Sequence, residues 1–277
     1  FMGLLAPLAF AAATGYAVRG WRLYRHTRQR PWINIVQTLF YAAAFALISS
    51  GVVLSWSRGA WLALGVALLV TVLLIPRKVW QSCVLLLMLL VLVGGLALSG
   101  RLPATITDRI ASASQELFAF DDVRGVDINS VNYAVVERLA HWQAALNMGR
   151  SHWWLGVGFG NYENAYDQHR LLYWHEALGH AHNYYLNIFA ETGMMGVTTY
   201  VIMWVSNLWF TWRIRSHPDP LARLISIGLF GTWTYLAVHS LTDNLYVNNV
   251  FIHLGVMLGI IAVLYSQTWQ SIKQTKL

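Results

Sequence analysis

Long apolar runs separated by short polar turns dominate the chain, and several approach or exceed the ~20 residues that a helix needs to cross a bilayer. They predict membrane spans at residues 1–18, 33–54, 62–75, 79–99, 194–212, 221–241 and 245–265. The third run is slightly short unless Trp61 and its neighbours belong to it. The pattern therefore predicts an all-α integral membrane protein with about seven transmembrane helices.

One long polar segment, residues 100–193, separates the fourth and fifth runs. Between Asn132 and Met148 its apolar residues recur at helical spacing, with Ser130 or Asn129 available as a cap and Gly149 as a stop. We therefore expect a helical loop. The predicted organisation is transmembrane helices one to four at 1–99, the loop at 100–193, helices five to seven at 194–265, and a tail at 266–277.

Basic residues predict the side of the membrane on which each loop lies. Lys and Arg are concentrated in the short loops after the first, third and fifth predicted spans and in the tail, whereas the opposite short connections hold only Arg58. Cytoplasmic loops carry such an excess of positive charge. We therefore expect the basic loops in the cytoplasm and the long loop outside it.

The composition supports this class of protein. Of the 277 residues, 57% are hydrophobic and 11% are charged, whereas a soluble domain carries about 25% charged residues. We attribute the net charge of +7 to membrane topology and expect no nucleic-acid partner. Cys83 is the single cysteine, so no disulfide within the chain is possible. Because Phe1 and Met2 begin inside an apolar segment, we expect further spans upstream.

The junction between the long loop and the fifth predicted span carries the densest candidate chemistry. His180, His182 and Asn183 precede an amphipathic stretch that we expect to be helical to about Glu191 and to break at Thr192-Gly193. A His-x-His pair can ligate a metal, and histidine is also the usual general base near neutral pH. The sequence offers no second strong ligand cluster. We favour a catalytic or substrate-binding role without metal or cofactor, and metal-binding and structural roles remain open.

Two arginines are candidates for binding an anion, because guanidinium pairs well with phosphate. Arg58 lies at the outer end of two predicted spans, beside Gly59 and Ala60. The alternative to anion binding is that the Arg58 side chain only extends to the membrane–water interface. Arg138 lies on the predicted loop helix, and its alternative is an ordinary surface residue.

Two further motifs have competing interpretations. His239 and Asp243 lie four residues apart at the outer end of the sixth predicted span, so they are either functional or linked by a structural hydrogen bond. The run Gly156-x-Gly158-x-Gly160 is interpreted as a turn rather than a phosphate loop, because no strand precedes it.

A set of motifs in a fixed order carries a resemblance to a known family. The motifs are residues 57–62 (Ser-Arg-Gly-Ala-Trp-Leu), Arg138 through Trp142 with Ala145, residues 155–162 (Leu-Gly-Val-Gly-Phe-Gly-Asn-Tyr), and residues 180–186 with Glu191, Gly193 and Gly196. Together with the long outward loop, they resemble the O-antigen ligase / O-antigen polymerase superfamily of bacterial envelope proteins. The resemblance covers roughly residues 40–212. Its motifs do not distinguish the ligases of the superfamily from the polymerases.

The resemblance implies a polytopic glycosyltransferase of the bacterial inner (cytoplasmic) membrane. Such proteins move a glycan from an undecaprenyl-pyrophosphate carrier to a lipid, polysaccharide or protein acceptor. Arg58 and Arg138 would hold the donor pyrophosphate, and His182 would take the acceptor proton with Asn183 or Glu176 orienting it. The reaction would invert the anomeric centre. We predict further substrate contacts from His180, Asn183, Glu191, His239 and Asp243.

Two alternatives of other classes stay open. The pair His239-x-x-x-Asp243 resembles the end of a branch once labelled bicarbonate transporters, which implies a transporter of small anions. The second alternative is a non-catalytic membrane subunit that derives from the same family and works with partner subunits. Membrane lipids are expected contacts in each case.

Overall fold

The computed structural model describes residues 2–100, 123–129, 132–247 and 249–275. Within these residues the chain forms helices and loops, with no strand. The helices are α1 (Ala6–Thr27), α2 (Trp32–Leu54), α3 (Arg58–Leu74), α4 (Val79–Leu98), α5 (Tyr133–Ser151), α6 (Tyr162–His169), α7 (Tyr184–Ile214), α8 (Pro220–His239) and α9 (Val250–Thr275). A short 3₁₀ helix, Met2–Leu5, precedes α1.

Six of the helices in the described residues are long and apolar enough to cross a membrane. They are Met2–Thr27, Trp32–Leu54, Val79–Leu98, Tyr184–Ile214, Pro220–His239 and Val250–Trp269. The third predicted span corresponds to α3, which has only 17 residues. At ~1.5 Å per residue it is about 26 Å long, less than the ~30 Å hydrocarbon core. The prediction of an all-α integral membrane protein is confirmed.

The described residues fall into two compact units. The first unit comprises residues 2–100, 207–238 and 249–275, and the second comprises 123–129, 132–206 and 239–247. The second unit therefore contains the described part of the predicted loop from residue 123 onward, most of α7 and the connection between α8 and α9. The tail predicted from residue 266 belongs to α9 as far as Thr275.

Helices of the first unit pack through small residues. Ala11 of α1 is 1% exposed, and Ala63 and Ala67 of α3 are fully buried. A Cβ atom on Gly228 of α8 would lie 2.5 Å from that of Ala11. Lipid supplies no hydrophobic drive between helices, so close packing of small residues becomes a main source of association.

Two arginines complete the carboxyl end of α3. Arg223 Nη2 donates to Ile75 O at 2.6 Å, and Arg215 Nη2 donates to Pro76 O at 2.9 Å. The last carbonyls of a helix have no partner within it, and cations are favoured at that end. These bonds therefore stabilise the turn that follows α3.

The second unit has its own core, built mainly from α5, α6 and the start of α7. Its fully or almost fully buried members are Ala144, Ala145, Met148, Tyr162, Tyr166, Ala181 and Ala190. Helix α5 confirms the helix predicted at Asn132 to Met148, although it runs past Gly149. At Gly149 a Cβ atom would meet the Phe189 ring at 2.3 Å. The glycine therefore permits close packing rather than ending the helix.

Helix α7 is interrupted at Gly193, where the sequence predicts a break. Its backbone angles are φ 61° and ψ −161°, a combination essentially open only to glycine. A helix interrupted in this way leaves backbone groups without their usual partners.

The segment from Trp153 to Gly158, which we call the wedge, supplies those partners. Four backbone hydrogen bonds join the two segments: Val157 N to Ala190 O at 2.9 Å, Gly158 N to Glu191 O at 2.9 Å, Met194 N to Trp153 O at 2.8 Å and Met195 N to Trp154 O at 3.2 Å. In a continuous helix, the carbonyls of residues 190 and 191 would accept from the amides of 194 and 195. The wedge therefore binds both members of each interrupted pair.

This pairing requires glycine on both sides. A Cβ atom on Gly156 would lie 2.3 Å from Glu191 C, and one on Gly193 would lie 2.4 Å from Trp154 C. Because these neighbours are backbone atoms, a side chain at either position would push the two segments apart. The run of glycines is a structural turn whose amides at 157 and 158 already have acceptors.

We expect Gly156→Ala to destabilise the protein more than Gly160→Ala. Both glycines have positive φ, 64° and 75°, which costs an alanine about 1 kcal/mol or more. Only position 156 adds a backbone collision, since a Cβ at 160 has no neighbour within 4 Å, and overpacking adds about 1–3 kcal/mol. Thermal unfolding in detergent, followed by tryptophan fluorescence, measures the difference. Equal losses in the two variants would contradict the close pairing.

Candidate active site

The loop before α7 adopts an unusual backbone conformation. We call residues 178–183 the histidine loop. Positive φ angles occur at Leu178, Gly179 and His182, at 51°, 75° and 49°. This region is uncommon for residues other than glycine, although histidine enters it more readily than most. Such strain persists where surrounding contacts fix it, and it often marks functional sites.

Asn183 and Asn187 fix the loop to its surroundings. Asn183 Oδ1 accepts from Tyr185 N at 3.0 Å and Leu186 N at 3.1 Å, while its Nδ2 donates to Leu241 O at 2.9 Å. This is helix capping by a preferred residue. Asn187 Oδ1 accepts from Ala181 N at 3.1 Å. The loop is therefore held between the start of α7 and the connection after α8.

Asp243 lies on that connection, beside both loop histidines. Its Oδ1 is 3.8 Å from His182 Nδ1, which is an ionic contact rather than a full hydrogen bond. The His180 and His182 rings meet edge to face with centroids 4.4 Å apart. His180, His182 and Asp243 therefore form one half-exposed cluster.

The electrostatics of the cluster keep Asp243 charged. Burial raises the pKa of its carboxyl, but His182, the Asn244 amide and His239 together outweigh burial and hold the pKa below its usual value. Burial lowers the pKa of His180, as does His182, while Asp243 opposes them. His180 is therefore mainly neutral at pH 7.

Helix α5 supplies a third histidine that the sequence did not single out. His141 is 1% exposed, and its ring lies edge to face with His182 at 5.8 Å and stacked on Tyr166 at 4.9 Å. Its Nδ1 is 3.1 Å from the Tyr162 hydroxyl. Burial, then His182 and His180, lower the pKa of His141 to about 4. The available signal was its position one turn after Arg138 on the same helix.

Arg138 lies on the face of α5 that reaches the histidine loop. One turn later, Trp142 Nε1 donates to His182 O at 3.4 Å. Arg138 is half-buried and close enough to His239 for their charges to interact. Arg138 and His239 thus belong to the same unit as the cluster of His180, His182 and Asp243.

Three predicted substrate ligands have mainly buried positions. Glu191 is 8% exposed, and its Oε1 accepts from Tyr162 N at 3.3 Å, at the start of α6. His239 and Asn183 are each 6% exposed. Their roles in substrate binding stay predictions. The carboxylate next to His182 belongs to Asp243, whereas Glu176 is exposed.

Arg58 belongs to the first unit and begins α3. Ser57 caps this helix, because its Oγ accepts from Ala60 N at 3.3 Å. Arg58 is half-buried, and it lies at the amino end of the helix, where the helix dipole favours anions. Its role in donor binding stays a prediction.

His180, His182 and Asp243 are also the described residues best placed to hold a metal ion. One ligand atom from each lies within 4.8 Å of the others. Two imidazoles and a carboxylate suit zinc and several transition metals. One of the ring nitrogens is committed, however, since His180 Nδ1 accepts from His182 N at 3.1 Å. The metal independence that the sequence analysis favours for this site stays a prediction.

We expect acid to destabilise the second unit through His141. Between pH 6.5 and about 4 the unfolded chain protonates this histidine and the folded protein does not. The free energy of unfolding therefore falls as pH falls through this window, by at most about 3 kcal/mol. His141→Gln should reduce the pH dependence of the thermal midpoint, whereas the exposed His175→Gln should preserve it. An unchanged slope in His141→Gln would contradict this origin.

The comparisons with known proteins bear on the whole arrangement. The O-antigen ligase family model matches residues 43–201, more than half of the chain. The match includes Arg58, Arg138, the wedge and the histidine loop, and it ends before Asp243. A search of curated proteins finds no match. The coverage confirms the resemblance, and the chain belongs to the O-antigen ligase family.

Proposed function

We propose that the protein transfers a glycan from undecaprenyl pyrophosphate to an acceptor hydroxyl, without metal, with His182 as the general base. The observation that carries this proposal is the contact of His182 Nδ1 with Asp243 Oδ1 at 3.8 Å, with neighbouring His180 already engaged through its own Nδ1. Family membership supports a membrane glycosyltransferase with a lipid-linked glycan donor. The carrier, the stereochemistry and the metal independence are our inference.

The hydrogen bonds of His180 favour His182 as the base. His180 Nδ1 accepts the His182 amide hydrogen, so the neutral ring carries its own proton on Nε2. That tautomer can donate to a substrate oxygen and has no free lone pair with which to accept a proton.

Asp243 favours the opposite tautomer in His182. A carboxylate next to Nδ1 stabilises the proton there and leaves the Nε2 lone pair available. The same carboxylate stabilises the imidazolium that forms when Nε2 takes a proton. Contacts of this kind often shorten when substrate binds, so 3.8 Å is compatible with the role.

The reaction that follows is a single displacement. The acceptor oxygen forms a bond to the anomeric carbon while the bond from that carbon to the pyrophosphate oxygen breaks. The acceptor proton moves to His182 Nε2, and the electron pair leaves with the pyrophosphate. Attack from the face opposite the leaving group inverts the anomeric centre.

Arginines would stabilise the charge that develops on the leaving group. Arg138 lies one turn from Trp142, whose indole holds the His182 carbonyl. The donor-binding role predicted for Arg58 rests on its sequence motif. A guanidinium held next to the leaving group can stabilise the developing negative charge, as a metal ion does in other enzymes.

The wedge and the residues after it offer an apolar surface for a lipid-linked donor. Trp154, Leu155 and Phe159 are 67%, 69% and 85% exposed. Such side chains are typical of a segment in contact with the membrane surface. We propose that the site faces outward from the bacterial inner membrane and takes a lipid, polysaccharide or protein acceptor.

We expect His182→Asn to lower the transfer rate by about 10²–10⁴-fold and to leave donor binding almost unchanged. His180→Asn should retain much more activity, because its amide oxygen can still accept the His182 amide hydrogen. The exposed His175→Asn is the matched control. The assay follows a labelled polyprenyl-pyrophosphate glycan in proteoliposomes with separate lipid, glycan and protein acceptors.

Three results would reject this proposal. Wild-type turnover by His182→Asn would exclude the general base, and equal losses in the two variants would remove the distinction between the histidines. Loss of wild-type transfer in a chelator, with recovery on adding zinc, would instead identify the cluster as a metal site.

A further inference from the structure

A groove between α1 and α2, in the first unit, is a candidate binding site unrelated to the proposed reaction. Its volume is about 590 Å³, within the ~300–1,000 Å³ of typical ligand sites. The side chains that give it its character are Tyr16, Trp21, Tyr24, Arg30, Trp32 and Asn34. Trp21 and Trp32 are 61% and 62% exposed, so the groove opens to the surroundings of the helices.

One amide side chain at the groove can bind a ligand. Asn34 is 7% exposed and lines the cavity. Its backbone carbonyl accepts from Thr38 Oγ1 at 2.7 Å, while its side-chain amide makes no hydrogen bond within the described residues. The amide is not among the fully enclosed unpaired polar atoms of the described residues, so it keeps some accessible surface at the groove. A polar group of a bound ligand can therefore form a hydrogen bond with it.

The charge around the groove selects an anion. Arg30 lines the cavity, with its guanidinium 5.8 Å from the centroid of the Trp32 ring. The chain from residue 19 to residue 30 contains five arginines, namely Arg19, Arg22, Arg25, Arg28 and Arg30. Residues 1–100 contain no Asp or Glu. Within the described part of the chain, none of these five arginines forms an ion pair. The positive charge at the groove is therefore not neutralised by this stretch of the protein itself.

The groove also has a polar end and an apolar end. Arg30 lies in the loop before α2, whereas Ile35 and Leu39 lie further along α2, a membrane-spanning helix. From Trp32, the first residue of α2, to Leu39 the helix rises by roughly 10 Å. Tryptophan and tyrosine favour the interface between headgroups and hydrocarbon. The ligand must therefore combine a negative headgroup with a hydrocarbon chain.

We propose that this groove binds one anionic phospholipid from the leaflet at the α1–α2 loop. Its phosphate would contact Arg30, a headgroup or ester oxygen would contact the Asn34 amide, and an acyl chain would lie along Leu39. The basic loop assigns this leaflet to the cytoplasmic side. A soluble anion would leave the apolar wall unused, and a zwitterionic lipid would leave the positive charge uncompensated.

Lipid titration of delipidated protein tests the proposal. Phosphatidylglycerol and phosphatidylcholine with identical acyl chains are added in detergent, and bound lipid is counted by native mass spectrometry. We expect the anionic lipid to bind the wild-type protein at least tenfold more tightly. Arg30→Gln should lose most of this preference. Arg77→Gln, an equal charge change at an exposed position outside the groove lining, should keep it.

A second variant separates the groove from general surface charge. Asn34→Leu removes the amide that the ligand would contact, so it should reduce the increase in the thermal midpoint that phosphatidylglycerol produces. Equal binding of the two lipids, or equal effects of Arg30→Gln and Arg77→Gln, would overturn the proposal. An equal thermal shift with inorganic pyrophosphate would also overturn it, because the site would then bind free anions.

Discussion

The pairing of the wedge with the interrupted helix α7 is the interaction on which the second unit depends. A break at Gly193 releases backbone groups that a helix normally pairs, and the four hydrogen bonds from residues 153–158 pair them again. Unpaired backbone groups are costly near a membrane, where water is scarce. The glycines at 156 and 193 permit this contact because backbone meets backbone at both positions. The break is therefore a built feature that ends one helical segment and starts another.

The consequences of this pairing reach the histidine loop through a short series of contacts. Glu191, beside the break, accepts from Tyr162 N at the start of α6, and the Tyr162 hydroxyl lies against His141 of α5. Trp142 on the same helix binds the His182 carbonyl. The cluster of His180, His182 and Asp243 thus stands on a buried framework. A rigid framework of this kind suits chemistry in which proton acceptor and substrate must be held in register.

The sequence predicted those features that depend on local pattern. Apolar runs predicted the membrane helices, the spacing after Asn132 predicted α5, and Thr192-Gly193 predicted the break, because each is a property of neighbouring residues. Contacts between distant residues left no comparable signal. Asp243 was grouped with His239 four residues away, and its backbone amide does donate to the His239 carbonyl at 3.1 Å. Its carboxylate, however, contacts His182. His141 lies inside the motif from Arg138 to Trp142 but was not predicted as a site residue, because its contact with Tyr162 forms only when α6 packs on α5. Glycines 156 and 158 suggested a turn, but their pairing with α7 required the fold.

Amide hydrogen exchange, resolved to single residues by mass spectrometry, measures the central pairing directly. The backbone amides of Val157, Gly158, Met194 and Met195 carry the four hydrogen bonds. We predict that they exchange as slowly as amides in the interior of α5, since local opening would have to separate two closely packed backbones. Exchange of these four amides within seconds, with α5 protected, would show that the wedge does not close the break and would contradict the account.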